Sequence, residues 1–234
     1  ILLGLVGSEM CIRDSFVVFV KNGIPGQRVL VLIYKKKKGF AEARIIKVLK
    51  QSPLATEARC DHYWICSKIQ SLSYDEQIKE KSSQVEDAFV RLGGFLNFKL
   101  DKVQKANLVY HYRNKMEFTF SPNRWVLESE PEGADKSFAL GLHIPGRFDK
   151  ILDIHNCHIQ PEIGNKILAA TREVCLANPE LKPYDPRSHI GFLRFLMLRF
   201  GVNTGDLMVN VVTIKSPVFT PVSYTHLTLP TIRE

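Results

Sequence analysis

The apolar stretches of this chain are strand-sized and fenced by turn residues. None approaches the ~18–20 residues that a membrane-spanning helix needs. FVVFV (16–20) leads into Asn22-Gly23-Ile24-Pro25-Gly26. RVLVLIY (28–34) then runs to a lysine and glycine turn over 35–39, and FAEARIIKVL (40–49) follows. Short β-rich segments joined by Gly and Lys turns predict a small OB-like barrel over 16–55. Hydrophobic content of 45% against 24% charged suits a soluble domain with an ordinary core. The opening ILLGLVG lacks a basic leader and a small-residue cleavage site, so it is not read as a signal peptide, and the cytoplasm is the expected location.

Downstream the periodicity changes. Ser73 and Glu76 form an S-x-x-E capping box, Ile78, Val85, Phe89 and Leu92 share one helical face, and Gly93-Gly94 ends the run. These features predict a helix over 73–92. Met116, Phe118 and Phe120 alternate with Lys115, Glu117 and Thr119, the pattern of a half-buried strand within 108–120. FALGLHI (138–144) and KILDI (150–154) extend a sheet. A second helix is expected from Pro161 to about 177, with Ile163, Ile167, Ala170 and Val174 inward. FLRFLMLRF (192–200) and DLMVNVVTI (206–214) read as two closing strands. The ends, 1–15 and 218–234, read as non-native flanks and are set aside from fold reasoning together with Cys11.

Charge is unevenly placed. Residues 16–59 carry ten cations against Glu42 and Glu57, an excess equal to the formal net charge of the whole chain, +8. An excess confined to one segment points to a polyanion partner there, with Lys35, Lys36, Lys37, Lys38 and Arg44 the candidate contacts. A solvated lysine turn kept for solubility is the plainer alternative. Further along, His111, Arg113 and Lys115 are spaced two apart, which would set them on one strand face. Arg194 and Arg199 stand among aromatics. Cations beside aromatic rings suit RNA, whose unstacked bases and phosphates are both within reach. Arg113, Lys115 and Arg194 join the candidate RNA-binding set. Five cysteines in a cytosolic chain argue for metal or burial rather than a disulfide framework.

Five phrases in order, KKKKGFAEARI (35–45), ARCDHYWIC (58–66), YHYRNKMEFTF (110–120), ILDIHNCHIQPE (151–162) and TGDLMVNVVT (204–213), resemble the bacterial RNA (uracil-C5)-methyltransferases. The likeness is to the type that makes 5-methyluridine in 23S ribosomal RNA and carries a TRAM domain and an iron–sulfur cluster. It spans 16 to 217 and implies an α+β fold: a partial TRAM barrel (16–55), a cysteine loop and helix linker (56–105) and a mixed α/β central domain (106–217). It also implies S-adenosylmethionine as the methyl donor of the parent enzyme, ribosomal RNA as the partner in preference to transfer RNA, no membrane partner, and a monomer.

The same resemblance sets Cys60, Cys66 and Cys157 on the first, second and fourth ligand positions of a four-iron cluster, which wants four thiolates. After Cys66, however, the chain reads SKIQSLSYDEQ, and the third cysteine is missing. Three outcomes stay open: a degraded cluster with a foreign ligand, zinc on these cysteines with His62 or His158, or no metal. Cys175 reads as a small buried hydrophobe. After Thr213 no glycine-rich strand–turn–helix follows, so the Rossmann-like methyltransferase domain is expected to be absent, with its catalytic residues and cofactor site. The expected function is RNA recognition within an RNA uracil-C5 methyltransferase, the chain alone being inactive. The alternative is a free-standing TRAM-type RNA-binding module. A TRAM-bearing radical enzyme is disfavoured, because Cys-x3-Cys-x2-Cys does not occur.

Overall fold

Alternation decides the first half of the chain. Strand β3 (Phe16–Lys21), strand β4 (Arg28–Lys36) and strand β5 (Phe40–Lys50) each place every second residue on one side. Val18, Val20, Val29, Val31, Ala41 and Ala43 are buried together there, with Phe16, Ile33 and Ile45 packed against them. Each buried valine stabilises by on the order of 2 kcal/mol relative to exposure. A one-residue slip would turn such a set to solvent, so register is well specified. β4 and β5 form an antiparallel hairpin, closed where Lys37 N–H donates to Phe40 O at 2.8 Å. β3 runs parallel to β5.

The structure is a computed structural model that describes residues 2–4, 10–13, 16–127 and 129–214. The chain divides into two units, Ile1–Val109 and Tyr110–Glu234. In the first, β1 (Leu2–Gly4) pairs with β4 and β2 (Met10–Arg13) pairs with β3, giving the sheet order β1-β4-β5-β3-β2. Both outer strands fall in the 1–15 stretch that the sequence reading set aside. Among the described residues the pairings make a five-stranded mixed sheet with no pair joining β1 to β2, so closure of the expected partial barrel does not appear among them. Glycine and lysine turns specify hairpins, but closure depends on which edges meet, and turn chemistry does not encode that.

After the sheet come a short helix, α1 (Tyr63–Cys66), a 3-10 turn over Lys68–Ser71, and α2 (Tyr74–Asp87). Ser73 caps α2 as expected, its Oγ accepting from Glu76 N at 3.4 Å. The helix runs out through a π turn, Ala88–Leu92, into Gly94 at φ +69°. The expected apolar face is not core, however. No residue of α2 is buried, and Leu92 is 88% exposed.

The second unit is a six-stranded sheet of β6 (Lys115–Ser121), β7 (Arg124–Trp125), β8 (Ala139–His143), β9 (Ile151–Asp153), β10 (Leu193–Phe200) and β11 (Leu207–Thr213). Its order is β11-β10-β6-β8-β9-β7, with the β7–β9 pair parallel and the rest antiparallel. Met116, Phe118 and Phe120 are buried, the alternation anticipated for β6, and Leu196 and Leu198 are buried on β10.

Helix α3 (Glu162–Ala177) starts after Pro161, which takes the cap position rather than the first helical turn. Of the four residues expected inward only Ile167 is buried; Gly164, Asn165, Leu168, Arg172 and Cys175 are the others, and Ile163 is 38% exposed. The face is rotated because two polar residues anchor it. Arg172 Nη2 donates to Asp153 Oδ1 at 2.6 Å and to the carbonyls of Leu140 and Ile154. Asn165 bonds both the N–H and the carbonyl of Cys157. Apolar periodicity alone cannot see such anchors. Among the described residues no helix is long and apolar enough to cross a membrane.

Candidate nucleic-acid interface

The strands that bury valines on one side of the first unit must present their other residues on the reverse. On β5 those are Phe40, Glu42 and Arg44; the exposed Phe19 and Lys21 stand on β3, and Leu32 and Tyr34 on β4. Register sets Arg44 between Lys21 and Leu32. The Lys21 ammonium lies 5.4 Å from the Tyr34 ring centroid, so its side chain reaches across β5. Phe19 and Phe40 meet edge to face at 5.7 Å.

The lysine run ends β4 and makes the turn, all four residues exposed. Lys35 pairs with Glu42 at 2.5 Å, and that hydrogen bond holds the Glu42 carboxyl below the usual carboxylate range. Lys36 lies over Phe16 and Lys37 over Phe40, at 5.9 and 5.6 Å. On the solvent face Lys21 over Tyr34 and Lys37 over Phe40 set cations beside rings, so that face offers stacking platforms and phosphate contacts side by side, whereas Phe16, near Lys36, packs against the core. Sequence reasoning named the lysines and Arg44 but missed Phe19, Lys21, Tyr34 and Phe40. The alternation that located the core could have found them, read for its other face.

In the second unit the expected single face of His111, Arg113 and Lys115 does not form. The strand begins only at Lys115, and His111 takes φ +59°. Its N–H bonds His158 O, and Arg113 N–H bonds Ile159 O. Arg113 turns its Nε back to Lys115 O at 3.1 Å. Two-residue spacing fixes a face only where the backbone is extended, and here it is not. Lys115 does gain a neighbour that spacing could not show, Arg199 directly opposite on β10. Arg194 sits with its guanidinium 5.2 Å from the ring centroids of both Tyr184 and Phe195.

Cys60 and Cys66 belong to the first unit and Cys157 to the second. Cys60 and Cys157 are buried, whereas Cys66 is exposed. Gln70 brackets Cys60: its Oε1 accepts from the Cys60 N–H at 2.9 Å and its Nε2 approaches the sulfur at 3.7 Å. The segment after Cys66 winds into a 3-10 turn whose one buried residue is that glutamine. Among the described residues no three His, Cys, Asp or Glu side chains gather as a metal site. The cluster expected from the resemblance, like the zinc alternative, therefore gains no support. Burial pushes the Cys175 thiol up to about 11, in keeping with a packed, unreactive side chain.

The curated proteins most like this chain include an uncharacterized RNA methyltransferase of Porphyromonas gingivalis, 38% identical over 92% of this chain and 48% of the relative. Another, from Chlorobaculum tepidum, is 40% identical over 81% of this chain and 40% of its own length. No family model matches. Among solved structures, the Pyrococcus abyssi tRNA (uracil-54, C5)-methyltransferase in complex with S-adenosyl-L-homocysteine matches with a TM-score of 0.64 and 20% identity, over 95% of this chain and 48% of that one.

The chain thus belongs to the RNA methyltransferases of these relatives, and its fold is similar, over nearly all its length, to part of the solved enzyme. The chain spans about half the length of the curated relatives it matches. These matches correct the expectation that the methyltransferase fold is absent, because 95% of the chain superposes on such an enzyme. The expectation rested on a missing glycine-rich loop. A loop signature reports a phosphate cradle, whereas strand and helix patterning sets the fold.

Proposed function

We propose that this chain supplies RNA recognition to an S-adenosylmethionine-dependent RNA uracil-C5 methyltransferase. The observation that carries the reading is the solvent face of the five-stranded sheet, where Phe19, Tyr34 and Phe40 alternate with Lys21, Arg44 and the lysine turn. Such a surface binds single strands through phosphate charge and base stacking together, and needs no particular sequence. The homologues' name supports RNA as the polyanion, and the solved neighbour's bound S-adenosylhomocysteine supports the methyl donor.

The described residues do not form an adenosine cradle of strand, glycine turn and helix. The segment from β9 enters α3 through Pro161, and a Cβ on Gly164 would meet Gln160 Oε1 at 2.6 Å. No residue here is therefore assigned to the cofactor, and no chemical step is derived through it. The sequence resemblance points to ribosomal RNA, while the solved neighbour is named for a transfer RNA position. We take ribosomal RNA as the partner.

Competition binding tests this reading. Labelled single-stranded RNA should be displaced by unmodified 23S ribosomal RNA fragments at lower concentration than by transfer RNA, and polyglutamate should displace it poorly at equal charge. Equal displacement by all three polyanions would reduce the surface to plain electrostatics and overturn the proposal.

A further inference from the structure

A second feature that sets arginine beside rings lies in the second unit, on the sheet face that carries Thr119 and its register partner Phe195. It is a cleft of about 230 Å³ floored by Thr119, Ser121 and Ile151, with His143, Phe148 and Tyr184 around it. Its roof is the loop 183–192, and that loop is cross-laced. Tyr184 N–H donates to Leu193 O and Asp185 N–H to Ile190 O, both at 2.8 Å. The Tyr184 hydroxyl meets His189 Nδ1 at 2.6 Å, and the Asp185 carboxylate accepts from Arg187 N–H and from the Ser188 hydroxyl. Those two donors hold Asp185 below the usual carboxylate range, so the lacing persists at neutral pH. Gly191 takes φ +109°, where a Cβ would come 2.0 Å from Pro183 O. The loop is built tightly enough to hold its side chains ready for a ligand.

Two arginines are fixed at this cleft. Arg187 is pinned by the buried Asp149 at 2.6 Å and lies over Phe148 at 6.0 Å. Arg194 rests over Tyr184 and Phe195. Asp149 is engaged by Arg187 and Asp185 is bonded within its own loop, so the two carboxylates balance the two guanidiniums, and Arg194, held on rings rather than by a carboxylate, is the cation free to meet a phosphate. Planar rings and guanidinium planes surround a space that suits one heterocycle, and hydroxyls of Thr119 and Ser121 lie beneath it. A protein partner held by so small a feature would lack the roughly 1,000 Å² that a specific interface buries.

We propose that this cleft takes one unstacked nucleotide of an RNA strand, its base laid against Phe148 and the Tyr184–Arg194 stack and its phosphate on the Arg194 guanidinium. Unstacked bases bind aromatic and guanidinium planes in this way, and the charge is complementary. The inference rests on the reading that the chain binds RNA, and it adds a contact separate from the lysine-rich sheet.

The test uses the whole chain, a labelled short oligouridine and a strand of the same length made of abasic residues. Phe148 is 70% exposed and Arg194 is exposed, so Phe148→Ala with Arg194→Gln should leave urea unfolding unchanged. We expect this pair to weaken oligouridine binding about tenfold, as loss of a stacked base does, and to weaken the abasic strand far less. Arg194→Lys keeps the charge but loses the plane, so it should bind the abasic strand like wild type and oligouridine less well. Equal loss on both strands would overturn base stacking. Unchanged oligouridine affinity in the double variant, with weakened binding when the four lysines are replaced, would overturn the cleft alone. No binding by the wild-type chain would instead overturn the reading of the chain as RNA-binding.

Discussion

The two units present cations in different ways. On the first, Lys36, Lys37 and Lys38 stand exposed at a hairpin turn, some of them drifting over rings at 5.6–5.9 Å. On the second, Arg187 of the laced loop pairs with a buried carboxylate, and Arg194 of β10 sits against aromatic rings. Lysine is a compact, well-hydrated charge on a flexible stem, and arginine is a plane with a fixed fork of donors. The first surface is therefore suited to catching a polyanion anywhere along its backbone. The second is suited to holding one residue of it in one orientation.

If the second unit owes its order to buried polar anchors, breaking one should cost the most. Arg172→Ala removes the cation that Asp153 Oδ1 and two carbonyls share in a buried site, and should destabilise by about 3–5 kcal/mol in urea unfolding. A loss within the range of an ordinary surface substitution would show that the anchor is not structural. Gly191→Ala comes next. It places a side chain at φ +109° against Pro183 O, and we expect roughly 1–3 kcal/mol of destabilisation with weakened oligouridine binding, since the laced loop shifts.

Thiol labelling probes both units at once. In a Cys11→Ser background, Cys66 should react promptly with a maleimide, whereas Cys60, Cys157 and Cys175 should react only after unfolding. Prompt labelling of Cys157 would mean that Asn165 does not hold its segment closed. The smallest expected effect concerns Glu42. Its folded pKa is depressed by Lys35, so the pairing is complete above the ordinary carboxylate value and is lost as pH falls through the lower folded value. Glu42→Gln should mimic that loss at neutral pH, slightly raising RNA affinity by unmasking Lys35.

What the sequence made legible was whatever strict periodicity encodes. The alternation of β6, the presence of the two closing strands and the Ser73 cap emerged where expected, and α3 began one residue later than expected. The rotated face of α3 did not, because Arg172 is anchored by partners distant in sequence and Asn165 by the loop just before the helix, neither of which apolar spacing records. The face of His111, Arg113 and Lys115 failed for a local reason, a left-handed backbone ahead of β6. At the candidate interface, charge was visible as a run of one residue type, whereas Phe19 and Tyr34 did not stand out until strand pairing gave their side. The cleft was least legible of all, since Phe148, Tyr184 and Arg194 come from separate loops and a strand.

RNA binding at the lysine turn and its sheet face is proposed to be electrostatic, which salt dependence tests most directly. Affinity for single-stranded RNA should be measured against salt for the chain and for a variant with Lys35, Lys36, Lys37 and Lys38 all changed to Ser. Each phosphate contact to a single strand contributes about 0.7 to the log–log slope, so the variant should show a clearly shallower slope and weaker binding at low salt. An unchanged slope would mean that the four lysines are a solvated turn and that RNA, if bound, is held elsewhere.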